Sequence, residues 1–310
     1  MNFEVITKTF KKTNIMSKNI FLAFITIIIS LSSCKEVPQE VVLDPSQLAL
    51  FDTTYISSTP IAPFPNNVLM EEFSGVRCVN CPEGNAKTKA LHSANPSRVT
   101  IVTVHSNFLA SPIGTDQDLR CVDANALVDA LGPIGGKPTT FINRKKLEDP
   151  LKLVISGAGP AKLNSWETYV NNELALSTPI GLDLELIFSE VAERKFRYRV
   201  TIKFSESSSN INLGFLLTES GMETEQDAPN SQVIEDYEHE WVLRDFITSI
   251  LGEPLTEDLQ ANTVIIKEFE IDLDDSDFNP TGNWKIDNME LVAFLRASDE
   301  SIINVAKVEL

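Results

Sequence analysis

Val68-Leu69-Met70-Glu71-Glu72-Phe73-Ser74-Gly75-Val76-Arg77-Cys78-Val79-Asn80-Cys81-Pro82 is the stretch on which the fold turns. Its first six residues read as a strand and Ser74-Gly75-Val76-Arg77 as a turn. A helix is predicted from Cys78 to about His92, with Asn95-Pro96 ending it. Val99-Thr100-Ile101-Val102-Thr103-Val104 follows as a strand of the buried type. Strand, helix and strand in that order make a βαβ unit. Cys78 and Cys81, two residues apart at a helix start, can close a disulfide. The first thiol would lie over helix N–H groups that lack partners, at the positive end of the helix dipole. That favours the thiolate, which is the nucleophile. The second thiol, one turn on, resolves a mixed disulfide. Arg77 adds positive charge, and Pro82 falls in the first turn, where a missing N–H costs least. A static disulfide and half a zinc knuckle have the same spacing. No second ligand pair exists, which argues against zinc.

Towards the N-terminus, Lys11, Lys12 and Lys18 precede the apolar run of residues 20–31. This is the charged and apolar order of a secretory signal, and the run is short for a membrane span. Leu31-Ser32-Ser33-Cys34 resembles the lipobox of bacterial lipoproteins. The resemblance implies a signal peptide over residues 1–33 and lipid on Cys34. Several acyl chains on one residue give stable anchoring. Met16 is an alternative start that leaves a compact signal. Residues 34–64, rich in Pro, Ser, Thr, Gln and acids, are predicted to be the acylated N-terminus and a flexible tether.

The whole chain has 26 basic and 44 acidic residues. Without the four Lys and one Glu of residues 1–33, its net charge is −21. Such a chain has no electrostatic attraction for nucleic acid. The three histidines, His92, His105 and His239, are far apart and lack ligand spacing, so neither metal nor cofactor is expected. Cys121 is the odd thiol, either a resolving cysteine or a buried hydrophobe. His105, at a strand end, is placed to tune a thiolate. His239 is expected as a structural hydrogen-bonder, and Trp166 and Trp241 as core or interface anchors.

Further along, residues 106–122 read as irregular, and a helix is expected to end at Leu131. Lys137-Pro138-Thr139 enters a short strand, and a helix runs from Pro160 to about Leu176. After Thr178-Pro179 the texture becomes β. Runs at 182–188, 196–204, 211–218, 263–273, 289–296 and 302–309 suggest an antiparallel sandwich, while 237–250 reads as strand or helix.

The βαβ unit with Cys78, Cys81 and, later, Lys137-Pro138-Thr139 resembles the thioredoxin superfamily. The resemblance implies that Pro138 is the cis-proline facing the cysteines. It also implies that Glu72, followed by the aromatic Phe73, is the buried acid that moves a proton for Cys81, with Glu71 as fallback. Arg77 replaces the usual Trp, and Val79-Asn80 replaces Gly-Pro.

A wider resemblance rests on Glu71 to Pro82, on Gly135-Gly136-Lys137-Pro138 before Phe141-Ile142-Asn143-Arg144, and on His239-Glu240-Trp241-Val242-Leu243-Arg244. These segments resemble the outer-membrane-protein-twenty-eight-related lipoproteins of Gram-negative bacteria. The implied architecture is an α/β thioredoxin-like domain over 65–177, a central mixed sheet flanked by helices. An all-β sandwich-like domain over 178–310 follows it. The implied location is the cell envelope, lipid-anchored at the outer membrane. Two functions compete. One is thiol–disulfide exchange on the thiols or disulfides of exported proteins. The other is a non-catalytic binding role, as accessory subunit of an outer-membrane assembly or as an adhesin, with the cysteine-bearing domain as scaffold. Fold alone does not choose between them.

Overall fold

A computed structural model describes residues 49–310 apart from 115, 133, 135, 147–154, 157–159 and 275–283. The expected signal peptide, Cys34 and the first part of the expected tether lie outside the described residues. In chain order the elements are β1 (Asp52–Ile56), β2 (Phe64–Pro65), β3 (Val68–Ser74), α1 (Cys81–Ala94), β4 (Val99–His105), α2 (Val122–Leu131), β5 (Thr139–Ile142) and β6 (Ile155–Ser156). They continue with α3 (Pro160–Leu174), β7 (Ser177–Thr178), β8 (Ile180–Glu190), β9 (Lys195–Phe204), β10 (Asn212–Glu219), β11 (Met222–Ala228) and β12 (Gln232–His239). The last are β13 (Val242–Phe246), β14 (Glu253–Pro254), β15 (Thr263–Asp272), β16 (Met289–Arg296) and β17 (Ile302–Glu309).

A nine-stranded sheet runs β17-β16-β10-β13-β4-β3-β5-β6, with β14 also on β10. β3 and β4 pair in parallel, as the βαβ reading requires. β5 is antiparallel to β3. The expected boundary between 177 and 178 does not separate sheets. β13 pairs in parallel with β4 through Val242 and Thr103, and the Thr103 N–H donates to Trp241 O at 2.7 Å. Strands from both sides of that boundary therefore share one sheet. The reason is non-local. β4 has a free side once β3 is placed, and its backbone groups need partners; β13 supplies them.

Alternation places the core. In β10, Leu213, Phe215 and Leu217 face the second sheet, β1-β15-β9-β8, and in β16 Leu291, Ala293 and Leu295 do the same. Leu216, Val292 and Phe294 point the other way, under Ala124, Leu127, Val128 and Leu131 of α2. Two sheets thus pack face to face, and one of these layers is an extension of the sheet that carries β3 and β4. A third cluster joins Val68, Met70, Val99 and Ile101 of the sheet to Leu91 of α1 and to Leu163, Trp166 and Val170 of α3. Trp166 is wholly buried there, and Trp241 packs at the cluster edge with its ring 4.8 Å from that of His92.

Part of the segment expected as a flexible tether, residues 34–64, is a strand. Asp52–Ile56 is an edge strand, paired with β15 from Asp52↔Lys267 to Ile56↔Thr263. Mostly exposed side chains on one short edge strand leave little hydrophobic signal.

Candidate functional site

β3 decides which acid enters the site, because successive side chains take opposite faces. Val68 and Met70 face α1 and α3, while Leu69 and Phe73 face α2. Glu72 therefore lies on the α1 side and Glu71 on the other. Glu71 is held by Arg144, whose Nε and Nη2 donate to its two carboxylate oxygens at 2.8 and 2.6 Å. The pair is fully buried, with the Arg144 guanidinium 5.3 Å from the centre of the Phe294 ring. A carboxylate locked in a two-bond pair is not the mobile proton carrier. Glu72, 0% exposed, accepts from Thr88 Oγ1 at 2.7 Å. Burial pushes its carboxyl up to about 8, and the Thr88 bond offsets only part of that. A carboxyl that is protonated at neutral pH can act as an acid there.

Cys78 and Cys81 form a disulfide with Cα atoms 5.3 Å apart. The helix starts later than predicted, at Cys81 rather than Cys78. Cys78 sits in the preceding turn, where its N–H donates to Gly75 O at 2.9 Å and its own carbonyl accepts from Cys81 N–H at 3.0 Å. Pro82 occupies the first helical turn, as expected. Arg77 does not serve the thiols. Its guanidinium donates to Ser111 O and Pro112 O at 3.0 and 2.6 Å, fastening the irregular segment after β4.

The Lys137–Pro138 peptide bond is cis. Pro138 meets α1 at Gly84, a residue the sequence reading passed over. A Cβ on Gly84 would lie 2.7 Å from Pro138 Cβ and 2.8 Å from Glu72 Oε1. Only glycine lets the proline, the acid and the first turn of α1 converge. Lys137 is half-buried and donates from Nζ to Ser74 O and Ser106 O, both at 2.5 Å. Burial holds its ammonium down at about 8.

The C-terminal half then covers the cysteines. β11 and β12 form an antiparallel hairpin. Gln226 of β11 is buried and donates from Nε2 to Cys78 O at 3.1 Å and to Gly75 O at 3.3 Å. The Asp227 N–H donates to Val76 O at 2.8 Å, and the Glu225 N–H to Asp116 Oδ2 at 2.7 Å. Cys78 is 4% exposed and Cys81 0%. The acid-rich hairpin sequence gives no hydrophobic alternation from which this cover could be read.

The fold also brings two of the separated histidines together. His105, the register partner of Ser74, has its ring 5.1 Å from that of His239 at the end of β12. Burial first, then His239, Lys137 and Arg244, hold His105 well below the ordinary range. Thr224 Oγ1 lies 2.9 Å from His239 Nε2, and burial lowers that ring to about 4. Among the described residues no group of three or more His, Cys, Asp or Glu is arranged to hold a metal ion. Cys121 caps α2, accepting from Ala124 N–H at 3.3 Å, and burial pushes its thiol up to about 12. It is not a ready nucleophile at neutral pH.

A cavity of about 310 Å³ opens beside the acid, between α1 and β12. Asn85, Thr88, Lys89, Tyr237, Glu240 and Trp241 are among its walls. Thr88 lines it and also bonds Glu72.

Residues 125–310 match the profile of the family described as outer membrane protein Omp28, and the chain belongs to that family. Its place is accordingly the outer membrane of the cell envelope. The matched segment starts after Cys78 and Cys81. In fold the chain is similar to HBP35 of Porphyromonas gingivalis, at 21% identity and a TM-score of 0.59, over 80% of this chain and 76% of that one. A protein from Agrobacterium tumefaciens aligns over 80% of this chain and 96% of its own, at 10% identity and a TM-score of 0.45. A domain of the outer membrane lipoprotein Omp28 from Porphyromonas gingivalis aligns over 43% of this chain and 88% of its own, at 14% identity and a TM-score of 0.28. No curated protein matches the sequence.

Proposed function

We propose that this outer-membrane lipoprotein exchanges disulfides with exported proteins through Cys78 and Cys81, that β3, α1, β4 and β5 form a thioredoxin-like unit, and that lipid on Cys34 tethers it. The observation that carries the reading is one convergence. A disulfide closes at the start of α1, a buried carboxyl lies under the same helix, and a cis-proline packs on its first turn. A static staple needs only the first of these.

In the oxidising direction a partner thiolate attacks Cys78 Sγ. The Cys78–Cys81 bond breaks, and Cys81 Sγ leaves and takes the proton of Glu72; a second partner thiolate then attacks the partner sulfur of the mixed disulfide, closing the partner's own disulfide and releasing Cys78 thiolate. In the reducing direction Cys78 thiolate attacks one sulfur of a partner disulfide, whose S–S bond breaks and whose other sulfur leaves as thiolate, forming a mixed disulfide on Cys78. Glu72 carboxylate then takes the proton of Cys81, whose sulfur displaces the reduced partner. Pro138, buried against Gly84, would position partner backbone once the cover has moved. Reaction at Cys78 requires the hairpin over it to move, because the attacking sulfur must approach along the S–S axis.

That cover favours a second reading, in which the disulfide is structural and the protein is a non-catalytic subunit of an outer-membrane assembly. The test is a Cys81→Ala variant expressed in the envelope. Mixed disulfides between Cys78 and exported proteins support exchange. Capture of nothing, together with a stable partner bound through residues 178–310, supports the second reading.

A further inference from the structure

β12 has a neighbouring strand on one side only. Among the described residues β11 and β12 make a two-stranded sheet, and no backbone hydrogen bond joins residues 233–237 to anything but β11. A strand so placed presents a row of unpaired N–H and C=O groups along its outer edge, a template for another strand. Proteins commonly close such edges with Lys, with Pro or with a covering element. β12 contains neither Lys nor Pro, and its residues 232–236 are all exposed. Val233 is 47% exposed and Ile234 39%. Neighbouring side chains take opposite faces. At this point β12 is therefore open on both faces as well as along its edge. The cavity between α1 and β12 begins where the exposed stretch ends, at Tyr237, and gives a side chain at one end of an added strand a place to go.

Charge selects the occupant. No Lys or Arg occurs in residues 222–240. Across the hairpin, acid stands against acid. Glu223 is the register partner of Glu238, and the register shift after Thr224 sets Glu225 against Glu235 and Asp236. Like charges directly opposite one another destabilise a ladder. The second sheet is built differently. There Arg199 faces Glu268 and Arg197 faces Glu270, with ion pairs of 2.6 and 3.3 Å. β1, also an exposed edge strand, has its Asp52 answered by Lys267 at 3.3 Å. Of the acids in residues 222–240, only Glu240 has an ion-pair partner among the described residues, Lys89 at 2.8 Å.

A second copy would bring the same acids to the same edge and be repelled. Residues 35–48 carry Glu36, Glu40 and Asp44 against Lys35, so they are repelled as well. The edge offers backbone groups and two apolar side chains, and what it lacks is positive charge. We propose that β12 binds an extended, basic segment of another polypeptide as an added strand. Backbone would pair with backbone along residues 233–237, and Lys or Arg side chains of the partner would lie over the acids of the hairpin. Such binding needs no disulfide exchange, and it gives the partner in either functional reading a chemical class. Because β12 belongs to the hairpin over Cys78, a docked segment is held beside the cover of the disulfide.

The experiment uses the oxidised full chain, labelled with 15N, and a capped peptide of alternating Lys and Val about eight residues long, the length of an ordinary strand. Binding is followed by anisotropy and by amide hydrogen exchange. The peptide should bind and slow exchange at the β12 amides that face away from β11. Glu235→Lys with Asp236→Lys should weaken binding about tenfold. Glu206→Lys with Asp258→Lys, exposed on loops beside β9 and β15, changes the net charge equally and should weaken it less than about twofold. The same peptide N-methylated throughout keeps its charge but cannot pair as a strand, so its binding should fall about tenfold with the protein left untouched. No binding, slowed exchange at another strand instead of β12, or equal weakening by the two pairs of charge reversals overturns the proposal. So does a chain that associates with itself through β12 in place of binding the peptide. The peptide has no cysteine. Failure here leaves the Cys81→Ala trap free to support exchange, and a silent trap leaves β12 free to bind.

Discussion

Replacing Glu72 with Gln should make the protein more stable, and by more as the pH rises. Gln keeps the shape and hydrogen bonds of the protonated acid but cannot ionise. The acid has an ordinary value of 4.5 and is pushed up to about 8 by burial. Its folded-state pKa is thus raised, so the folded protein holds a proton that the unfolded chain has lost. Folding stability is unaffected by this group below the ordinary value. Above it, stability falls by about 1.4 kcal/mol per pH unit until the folded-state value is reached. The accumulated cost is about 3 kcal/mol at pH 7 and about 5 kcal/mol above pH 8. Against a total of roughly 5–15 kcal/mol for a domain, this is a large fraction. Half of it remains a measurable effect if water relaxes the site. The assay is urea unfolding of the oxidised protein and of Glu72→Gln at half-unit steps from pH 4.5 to 9. The two curves should meet at the acid end and diverge steadily to about pH 8. Parallel curves across that range would refute the account of Glu72 as a buried, raised carboxyl. Lys137 does not confuse the comparison. Its folded-state pKa is lowered to about 8 from 10.5, so its cost is complete below pH 8 and fades above it, equally in both proteins.

Gly84→Ala should destabilise, although the same change in an exposed helix interior gains about 1 kcal/mol. The new Cβ meets Pro138 at 2.7 Å, and overpacking of about 1–3 kcal/mol outweighs the helix gain, which a thermal melt will read. Arg144→Met leaves Glu71 buried without its partner and should cost about 3–5 kcal/mol, whereas Glu71→Leu with Arg144→Met should recover most of it in urea unfolding. Gln226→Ala removes the bonds to Cys78 O and Gly75 O and should speed reduction of the disulfide by a small thiol about tenfold, followed by thiol alkylation; an unchanged rate would mean that the hairpin is not what limits access.

Much of this was written in local pattern. Met289–Arg296 and Ile302–Glu309 were legible to the residue, because apolar runs of strand length stand between polar turns. The parity of β3 separates Glu72 from Glu71 on paper. The face of Glu71 requires Arg144, which lies in a segment the sequence singles out but whose partner only the sheet supplies. What was not legible is non-local or hydrophilic. The β4–β13 pairing joins segments far apart in the chain, and no local property of either announces the other. METEQDA and QVIEDYEH carry their strands on cross-strand pairing and on bonds to the Cys78 turn, not on alternation. The approach of His105 to His239 follows from that hairpin, so it was equally invisible. The later helix start follows from the tight turn over Gly75 to Cys78, which uses the backbone groups a helix would need.

The cover over the disulfide comes from residues that follow it in the chain by well over a hundred positions. An exported chain is synthesised and threaded from its N-terminus, so both cysteines reach the far side of the inner membrane long before Gln226 does. The order of arrival therefore sets a sequence of events. An oxidant on that side would meet the thiols while bare, and the hairpin would close over a bond already made. Oxidation of the newborn chain needs no opening motion, and any later reduction does.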